Sequence, residues 1–345
     1  MVSRWEAGGK RYEESLAFLR RAVSLYESSK GSVEYALARF QLAETLLVIG
    51  ERNGSHATLL EASDEYREAL KVLSRETHAL DWAMVQSGLG GALTQLGNVS
   101  HESKYYLEAV ECLKAALTVR TRDEFRLDWT VSQTNLANAL LSIGLDETGT
   151  SHLEQARDAY LTVLEVDFQT AAPEIWGAAR AGLGGALQFI GERVGSVELL
   201  SEAVSEYRLA SGVFQFGRAP RYWARIHINI ARTLIALSKL ENKVGICFEA
   251  ISILTPIQSI LTPETTPVDW VKLNETLGDA LYEVALHVRD VSQARLAASA
   301  YNAALHVRRF KRVSFSLSTI RASRRRAVKL IATLRHEQSG SRSAQ

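Results

Sequence analysis

Apolar positions along the chain recur with the spacing of an α-helix, and the pattern itself repeats. Five segments begin with a tryptophan, and successive tryptophans are 47 residues apart. Seven and eleven residues after each tryptophan the chain carries Leu or Ile, and eight residues after it a small residue. Offsets of 0, 7 and 11 lie on one face of a helix, which predicts a packed helix in each segment. These five residues, predicted to be structural, are Trp82, Trp129, Trp176, Trp223 and Trp270.

The same phase continues on both sides and defines a second kind of helix. Steps of 47 residues predict first helices starting near residues 35, 82, 129, 176, 223, 270 and 317. Between them lies another segment of helical period, in which an alanine is followed four residues later by Tyr or Leu. A helix of this second kind, near residues 12–27, comes before the first tryptophan-type helix. The alanines are Ala62, Ala109, Ala156, Ala203, Ala250 and Ala297.

Helix boundaries are also marked at regular intervals. A proline stands three residues before each of the last three tryptophans, where the first turn of a helix accepts it. A glycine follows four of the apolar patterns, and we predict that it ends the helix in the left-handed conformation. The pattern predicts about fourteen antiparallel helices joined by short loops. The four glycines are Gly50, Gly97, Gly144 and Gly191.

The repeating unit resembles the tetratricopeptide repeat. Its Leu-Gly core is matched by Leu89 and Gly90, and its second-helix positions by Ala109 and Leu113. The period of 47 residues is longer than the usual 34, and it is similar to long-period bacterial arrays of this family. The resemblance implies an all-α, right-handed α-solenoid of about seven antiparallel helix pairs. We expect one such array over residues 1–336 and a disordered tail over residues 337–345.

Composition fits a soluble chain of this kind. The 345 residues carry 40 Lys and Arg against 39 Asp and Glu, and 46% are hydrophobic. Two cysteines cannot form a disulfide framework, the chain has no apolar run long enough for a membrane span, and its first residues lack an apolar signal segment. We therefore expect a cytoplasmic protein with no membrane association.

The residue patterns of known catalytic and metal sites do not occur in the sequence. The segment GLGGAL occurs twice and looks like a nucleotide-binding loop, but its glycines fall at packing positions of a repeat helix. The histidines are scattered, and the two cysteines, Cys112 and Cys247, lie near apolar positions. We expect no enzymatic activity, no cofactor and no metal site.

Polar residues on the first helices indicate where a partner could bind. In the repeat family the first helix of each pair lines the concave surface, and the corresponding positions follow the tryptophan by 2, 5, 6 and 9 residues. Asn side chains can hold a peptide backbone, and Arg can grip a carboxylate. The set partly resembles the carboxylate clamp of chaperone-binding relatives, although Thr134 stands at the clamp's Lys position. The predicted groove residues are Asn135, Asn138, Arg225, Asn229, Arg232 and Asp279.

The C-terminal region is strongly basic. Residues 308–336 contain ten Lys and Arg and no acid, so the rest of the chain carries about nine net negative charges. Interleaved apolar residues favour a capping region, with an acidic protein partner or nucleic acid as alternatives. The basic patch comprises Arg308, Arg309, Lys311, Arg312, Arg321, Arg324, Arg325, Arg326 and Lys329.

These features favour a protein-interaction scaffold that holds a peptide segment or a protein surface in its groove. One alternative is binding of nucleic acid or an acidic partner through the basic C-terminal helix, with nucleic acid the less favoured. Another is a regulatory subunit of an enzyme or signalling complex encoded elsewhere. All of these hypotheses require a macromolecular partner, most simply a protein or a peptide.

Overall fold

A computed structural model describes residues 2–167, 169–217, 219–307 and 317–343, with side chains described between residues 12 and 339 of these ranges. These ranges contain fourteen α-helices, in agreement with the predicted number. The first helix of each pair carries the tryptophan pattern, and α14 continues that series. These helices are α2 (Val33–Asn53), α4 (Ala79–Ser100), α6 (Arg126–Asp146), α8 (Pro173–Val194), α10 (Pro220–Glu241), α12 (Pro267–Val288) and α14 (Ser318–Ser343).

The second helices alternate with them along the chain. Helix α1 begins ten residues earlier than the pattern predicts, and α14 continues into residues 337–343, which were expected to be disordered. The second helices are α1 (Val2–Leu25), α3 (His56–Leu70), α5 (Ser103–Leu117), α7 (Ser151–Leu164), α9 (Val197–Val213), α11 (Gly245–Leu254) and α13 (Val291–His306).

The helices form two compact units. Unit 1 spans Met1–Glu165 and holds α1 to α7, while unit 2 spans Val166–Gln345 and holds α8 to α14. The sequence predicted a single array, and the division falls between α7 and α8. Within each unit every first helix packs against the second helix that follows it. The architecture is therefore an all-α solenoid of helix pairs, as the tetratricopeptide resemblance implies.

First helices also contact one another within each unit. Helix α4 packs on α2 and α6, and α10 packs on α8 and α12. Second helices are linked by long side chains, as in the ion pairs Arg67–Glu108 and Arg208–Glu249 at 2.8 Å. Because the first helices approach each other more closely, their free face is the inner face of each unit.

The predicted core positions are buried. The aliphatic residues seven and eleven positions after each tryptophan are at most 8% exposed, and the repeating alanines of the second helices are fully buried. Four residues beyond those alanines, the buried Tyr or Leu packs against the first helix. These residues are Tyr66, Leu113, Tyr160, Tyr207, Leu254 and Tyr301.

The helix starts agree with the proline pattern, but the predicted helix ends were wrong. Helices α8, α10 and α12 begin at Pro173, Pro220 and Pro267. The glycines predicted to end helices lie inside them. Glycine is needed there because the second helix packs so closely that it leaves no room for a side chain. A Cβ on Gly97 would lie 2.5 Å from the Tyr106 ring. Left-handed residues follow three of these glycines by four positions, at Gly54, His101 and Gly195, and two others, Asn242 and Arg289, follow the ends of α10 and α12.

No helix within the described ranges is both long and apolar enough to cross a bilayer.

Candidate protein-binding face

Helix α10 presents two arginines and an asparagine along one side. Arg225, Asn229 and Arg232 follow one another at intervals of four and three residues, which keeps them on one helical face. Both arginines are exposed and Asn229 is half-buried. The face behind them is apolar, since Ile226, Ile230 and neighbouring residues are buried in the core of unit 2. The core thus fixes the direction in which the polar side chains point.

A buried carboxylate orients the start of this row. Asp269, at the first turn of α12, is only 3% exposed. It accepts a hydrogen bond from Arg221 Nε at 2.6 Å and lies 3.8 Å from Arg225 Nε. A charge-assisted hydrogen bond of this kind holds a guanidinium more firmly than an exposed ion pair does. Asp269 therefore ties the first turn of α10 to α12.

Arg232 is positioned by contacts with α8. Its Nη2 lies 3.8 Å from Glu192 Oε2, and its guanidinium carbon lies 4.8 Å from the centre of the Phe189 ring. The aromatic contact fixes the plane of the guanidinium while leaving donors directed to solvent. Arg225 and Arg232 are therefore held on the same face by different neighbouring helices.

Lys272 of α12 adds a third cation beside this row. Its side chain reaches solvent but is flanked by protein, and desolvation together with the nearby Arg225 and Arg232 lowers the pKa of its ammonium group. Asp269 and Glu275 act in the opposite direction. Lys272 forms no ion pair with the side chains that the structure describes. We call Arg225, Asn229, Arg232 and Lys272 the cationic stripe.

Acids lie next to the stripe, further along α12. Burial raises the pKa of Asp279, which accepts a hydrogen bond from the Tyr301 hydroxyl at 2.7 Å. Burial and the neighbouring Asp279 raise the pKa of Glu275. Asp279, predicted as a groove ligand, therefore has one carboxylate oxygen engaged in the packing of α12 on α13.

The two predicted asparagines of α6 lie in the other unit. Asn138 is exposed, and its Oδ1 accepts a hydrogen bond from the Tyr160 hydroxyl at 2.6 Å. Asn135 is half-buried on the same side of the helix. Of the six predicted groove residues, Arg225, Asn229, Arg232 and Asp279 lie together in unit 2, whereas the asparagines belong to unit 1.

Cations at these positions are confined to unit 2. In unit 1 these offsets carry no Lys or Arg, although the helices pack in the same way. The unit 1 residues at offsets 2, 6 and 9 are Leu37, Gln41, Glu44, Met84, Gly88, Gly91, Val131, Asn135 and Asn138. Helix packing in unit 1 does not need cations at these positions. The repeat architecture therefore does not explain why unit 2 carries Arg225, Arg232 and Lys272 there.

The five tryptophans occupy the boundary between each helix pair and solvent. Trp129 and Trp176 are 9% exposed, and the other three are half-buried. Trp270 donates from Nε1 to the carbonyl oxygen of Ala303 in α13 at 3.1 Å, while Trp223 lies 4.0 Å from the His227 ring. Each described contact is with the tryptophan's own unit.

The basic patch is partly engaged within the protein. Arg308, Arg309, Lys311 and Arg312 lie outside the described residues. On α14, Arg324 Nε donates to Asn302 Oδ1 at 2.5 Å, and Arg326 lies over the Tyr282 ring at 5.8 Å. Arg325 and Lys329 are exposed, and Arg321 is half-buried. The apolar side of α14 packs on α13 and α12 through residues such as Ile320, Leu330 and Leu334.

The remaining reactive side chains take part in packing. Burial raises the pKa of the Cys112 thiol to about 11 and also raises that of Cys247, whose Sγ lies 3.1 Å from Ser238 Oγ. Desolvation lowers the pKa of His227. Among the described residues, no cluster of three or more His, Cys, Asp or Glu could hold a metal ion.

Two largely buried ion pairs were not predicted from the sequence. Arg39 Nη1 lies 2.5 Å from Glu65, and Arg180 Nη1 lies 2.8 and 2.9 Å from the two oxygens of Glu206. Both arginines stand four residues after the aromatic position of the 47-residue pattern, Tyr35 or Trp176. The sequence could have indicated both pairs, because each arginine is followed 26 residues later by a glutamate. In the other repeats the residue at that glutamate position is Cys112, Ala159, Ile253 or Ala300.

Comparison with known proteins adds little beyond this description. No family model and no curated protein matches the chain. Among solved structures, a Rap protein complexed with competence and sporulation factor is 13% identical at a TM-score of 0.47, covering 90% of this chain and 80% of that one. The tetratricopeptide domain of P58(IPK) is 13% identical at a TM-score of 0.32, covering 96% and 97%. A circular tandem repeat protein is 13% identical at 0.31, covering 96% and 92%. These likenesses are weak, and the fold assignment rests on the helices themselves.

Proposed function

We propose that this protein is a non-catalytic interaction scaffold that binds an acidic peptide segment along the cationic stripe of unit 2. The observation that carries the proposal is the clustering of Arg225, Arg232 and Lys272 on the inner face of α10 and α12. The same face of unit 1 has no such cations. Desolvation, together with the nearby Arg225 and Arg232, lowers the pKa of Lys272, and a bound carboxylate would offset the repulsion from those two arginines.

The spacing of the stripe suits an extended peptide. Arg225 and Arg232 are seven residues apart, which corresponds to roughly 10 Å along the helix axis. A peptide in the polyproline II conformation rises about 3.1 Å per residue and has three residues per turn, so side chains three residues apart lie on the same side and span about this distance. We therefore expect the preferred ligand to carry two carboxylates three residues apart, with Asn229 donating and accepting at the peptide backbone between them.

The absence of catalysis is part of the same proposal. The cysteines have raised pKa values, which disfavours the thiolate, and His227 is held against Trp223. The Asp279 carboxyl is engaged by Tyr301. These four side chains, of types that serve as nucleophiles or bases in enzymes, are thus used for packing.

Binding to fluorescein-labelled decapeptides tests the proposal by fluorescence anisotropy. Three peptides are compared. The first carries two glutamates three residues apart, the second carries them five residues apart, and the third has glutamine in place of both glutamates. The double variant Arg225→Ala/Arg232→Ala is expected to weaken binding of the first peptide more than tenfold, which corresponds to about 1.4 kcal/mol. The exposed Arg208, which pairs with Glu249 on the second-helix side, supplies the matched control Arg208→Ala. Equal loss in the control, or no preference for the acidic peptides, would overturn the proposal.

The exposed cations of α14 define the second candidate function. Arg325 and Lys329 are exposed one turn apart, and the helix carries no acid between residues 318 and 336. If the chain binds a labelled oligonucleotide, affinity should fall steeply between 50 and 200 mM salt and be lost in Arg325→Glu/Lys329→Glu. Because these substitutions lie on the solvent side of α14, they leave its packing intact and separate the two hypotheses.

A further inference from the structure

Helix α1 exposes an apolar pair on the side that faces away from α2. Leu16, Leu19 and Val23 pack against unit 1, whereas Phe18 and Leu25 are 73% and 72% exposed. These two residues are seven positions apart and therefore lie on one helical stripe. They are the most exposed large apolar side chains in the described part of the chain.

The repeat shows that these positions are normally covered. The residues equivalent to Leu25 in the other six repeats lie at or just beyond the end of the second helix; all are β-branched aliphatics, and each is half or fully buried. They are Val72, Val119, Val166, Val213, Ile260 and Val307. The positions equivalent to Phe18 are also half or fully buried in every case. In the other pairs, the first helix of the same pair supplies this cover, as the Arg39–Glu65 contact illustrates.

The charges beside Phe18 indicate what covers α1. Glu14 lies four residues before Phe18 and Arg21 three residues after it, and both are exposed on the same side of the helix. If two copies of α1 pack antiparallel about a two-fold axis at Phe18, Glu14 of each copy lies beside Arg21 of the other. The segment from Glu14 to Arg21 is therefore self-complementary, which is the requirement for an isologous dimer.

The alternative register is disfavoured by the same charges. Pairing Phe18 of one copy with Leu25 of the other would centre the axis near Arg21 and bring two arginines together. Like charges at such a contact destabilise it. We propose that the chain forms a two-fold dimer through α1, with Phe18 at the axis and Glu14 paired with the second copy's Arg21.

Sedimentation velocity of the full chain over a range of micromolar concentrations tests the proposal. The wild-type chain is expected to dimerise, and Phe18→Glu to raise the dimer dissociation constant at least tenfold. Phe248, which is 50% exposed on α11, supplies the matched control Phe248→Glu, which should leave the dimer unchanged. Since both phenylalanines are exposed, the circular dichroism spectra of both variants should match the wild type, which shows that each variant still folds.

Charge exchange distinguishes the proposed contact from a general loss of apolar surface. Glu14→Arg and Arg21→Glu should each weaken the dimer, because each places like charges together. The double variant Glu14→Arg/Arg21→Glu should restore it. A monomeric wild-type chain, or a dimer that Phe18→Glu leaves intact, would overturn the proposal. Failure of the double variant to recover would overturn the register.

Discussion

The Tyr160 hydroxyl donates a hydrogen bond to Asn138 Oδ1 across 2.6 Å, joining the second helix of a pair to the first. The same link, 22 residues apart in sequence, joins Tyr66 to Glu44 and Tyr301 to Asp279. The residue 22 positions before Tyr207 is a glycine, and the Tyr207 hydroxyl donates instead to Gln188 Oε1 at 3.1 Å. In the two remaining pairs the first helix has Gly91 or Arg232 in place of the acceptor, and the second helix has a leucine in place of the tyrosine. Each of these buried hydroxyls thus has the partner that burial requires.

Removing one of these hydroxyls should destabilise the protein by an amount that depends on the acceptor. Tyr160→Phe is expected to cost about 1 kcal/mol, and Tyr301→Phe about 1.5–3 kcal/mol, since its partner is a carboxyl group. Chemical denaturation measures both. Tyr222 is 56% exposed, so Tyr222→Phe serves as the control and should be neutral. Equal effects for all three tyrosines would contradict this account.

The buried Asp279 should make stability depend on pH. Because burial raises its pKa above the ordinary value of 3.8, the native state binds more protons than the unfolded state. Its contribution is therefore complete below pH 3.8 and is lost as the pH rises through the native-state pKa. Asp279→Asn keeps an acceptor for Tyr301, as Asn138 does for Tyr160, and should be more stable than the wild type at neutral pH but not in acid.

Asp290 provides a control of opposite sign for this pH dependence. It caps α13 by accepting a hydrogen bond from the Ser292 backbone N–H at 2.8 Å, and its hydrogen bonds with Ser292 lower its pKa. Its contribution is present above the unfolded-state pKa and is lost as the pH falls. Asp290→Asn should therefore lose stability relative to the wild type at neutral pH. Melting temperatures from pH 3 to 8 compare the two variants, and matching trends would refute the assignment.

The Arg180–Glu206 pair should be costly to break but replaceable. Both groups are largely buried, and Arg180 Nε has no acceptor in the described structure. Glu206→Ala leaves a buried cation and should cost about 3 kcal/mol, whereas Arg180→Met/Glu206→Leu should recover much of that loss. The exposed Glu202 on the same helix gives the control Glu202→Ala, with an expected effect within about 0.5 kcal/mol.

Adjacent glycines of α4 should respond to alanine in opposite directions. A Cβ on Gly90 would lie 2.5 Å from Leu113 Cγ, whereas a Cβ on Gly91 would meet only Asn135 Nδ2 at 3.6 Å. Gly90→Ala should therefore cost about 1–3 kcal/mol through overpacking. Gly91→Ala should stabilise the chain by up to about 1 kcal/mol, because alanine favours the helix. A stabilising Gly90→Ala in thermal melts would show that Leu113 can move aside.

The sequence by itself determined the helices and the residues that pack between them. Offsets of 7, 8 and 11 residues from the tryptophans identified the buried face, and prolines marked the starts of α8, α10 and α12. These features are local, because helical periodicity and the restricted φ of proline act within a few residues of the chain.

Tertiary structure decided which polar residues are available to a partner. Asn138 and Asp279 look like free ligands in sequence, but tyrosines 22 residues away engage them. Gly97 looks like a helix end, yet it lies where Tyr106 of the next helix approaches. Local pattern cannot reveal these roles, because the partner side chain is brought into place only when helices pack. The same is true of Phe18, whose exposure follows from the helices that lie beside α1 and not from its own sequence.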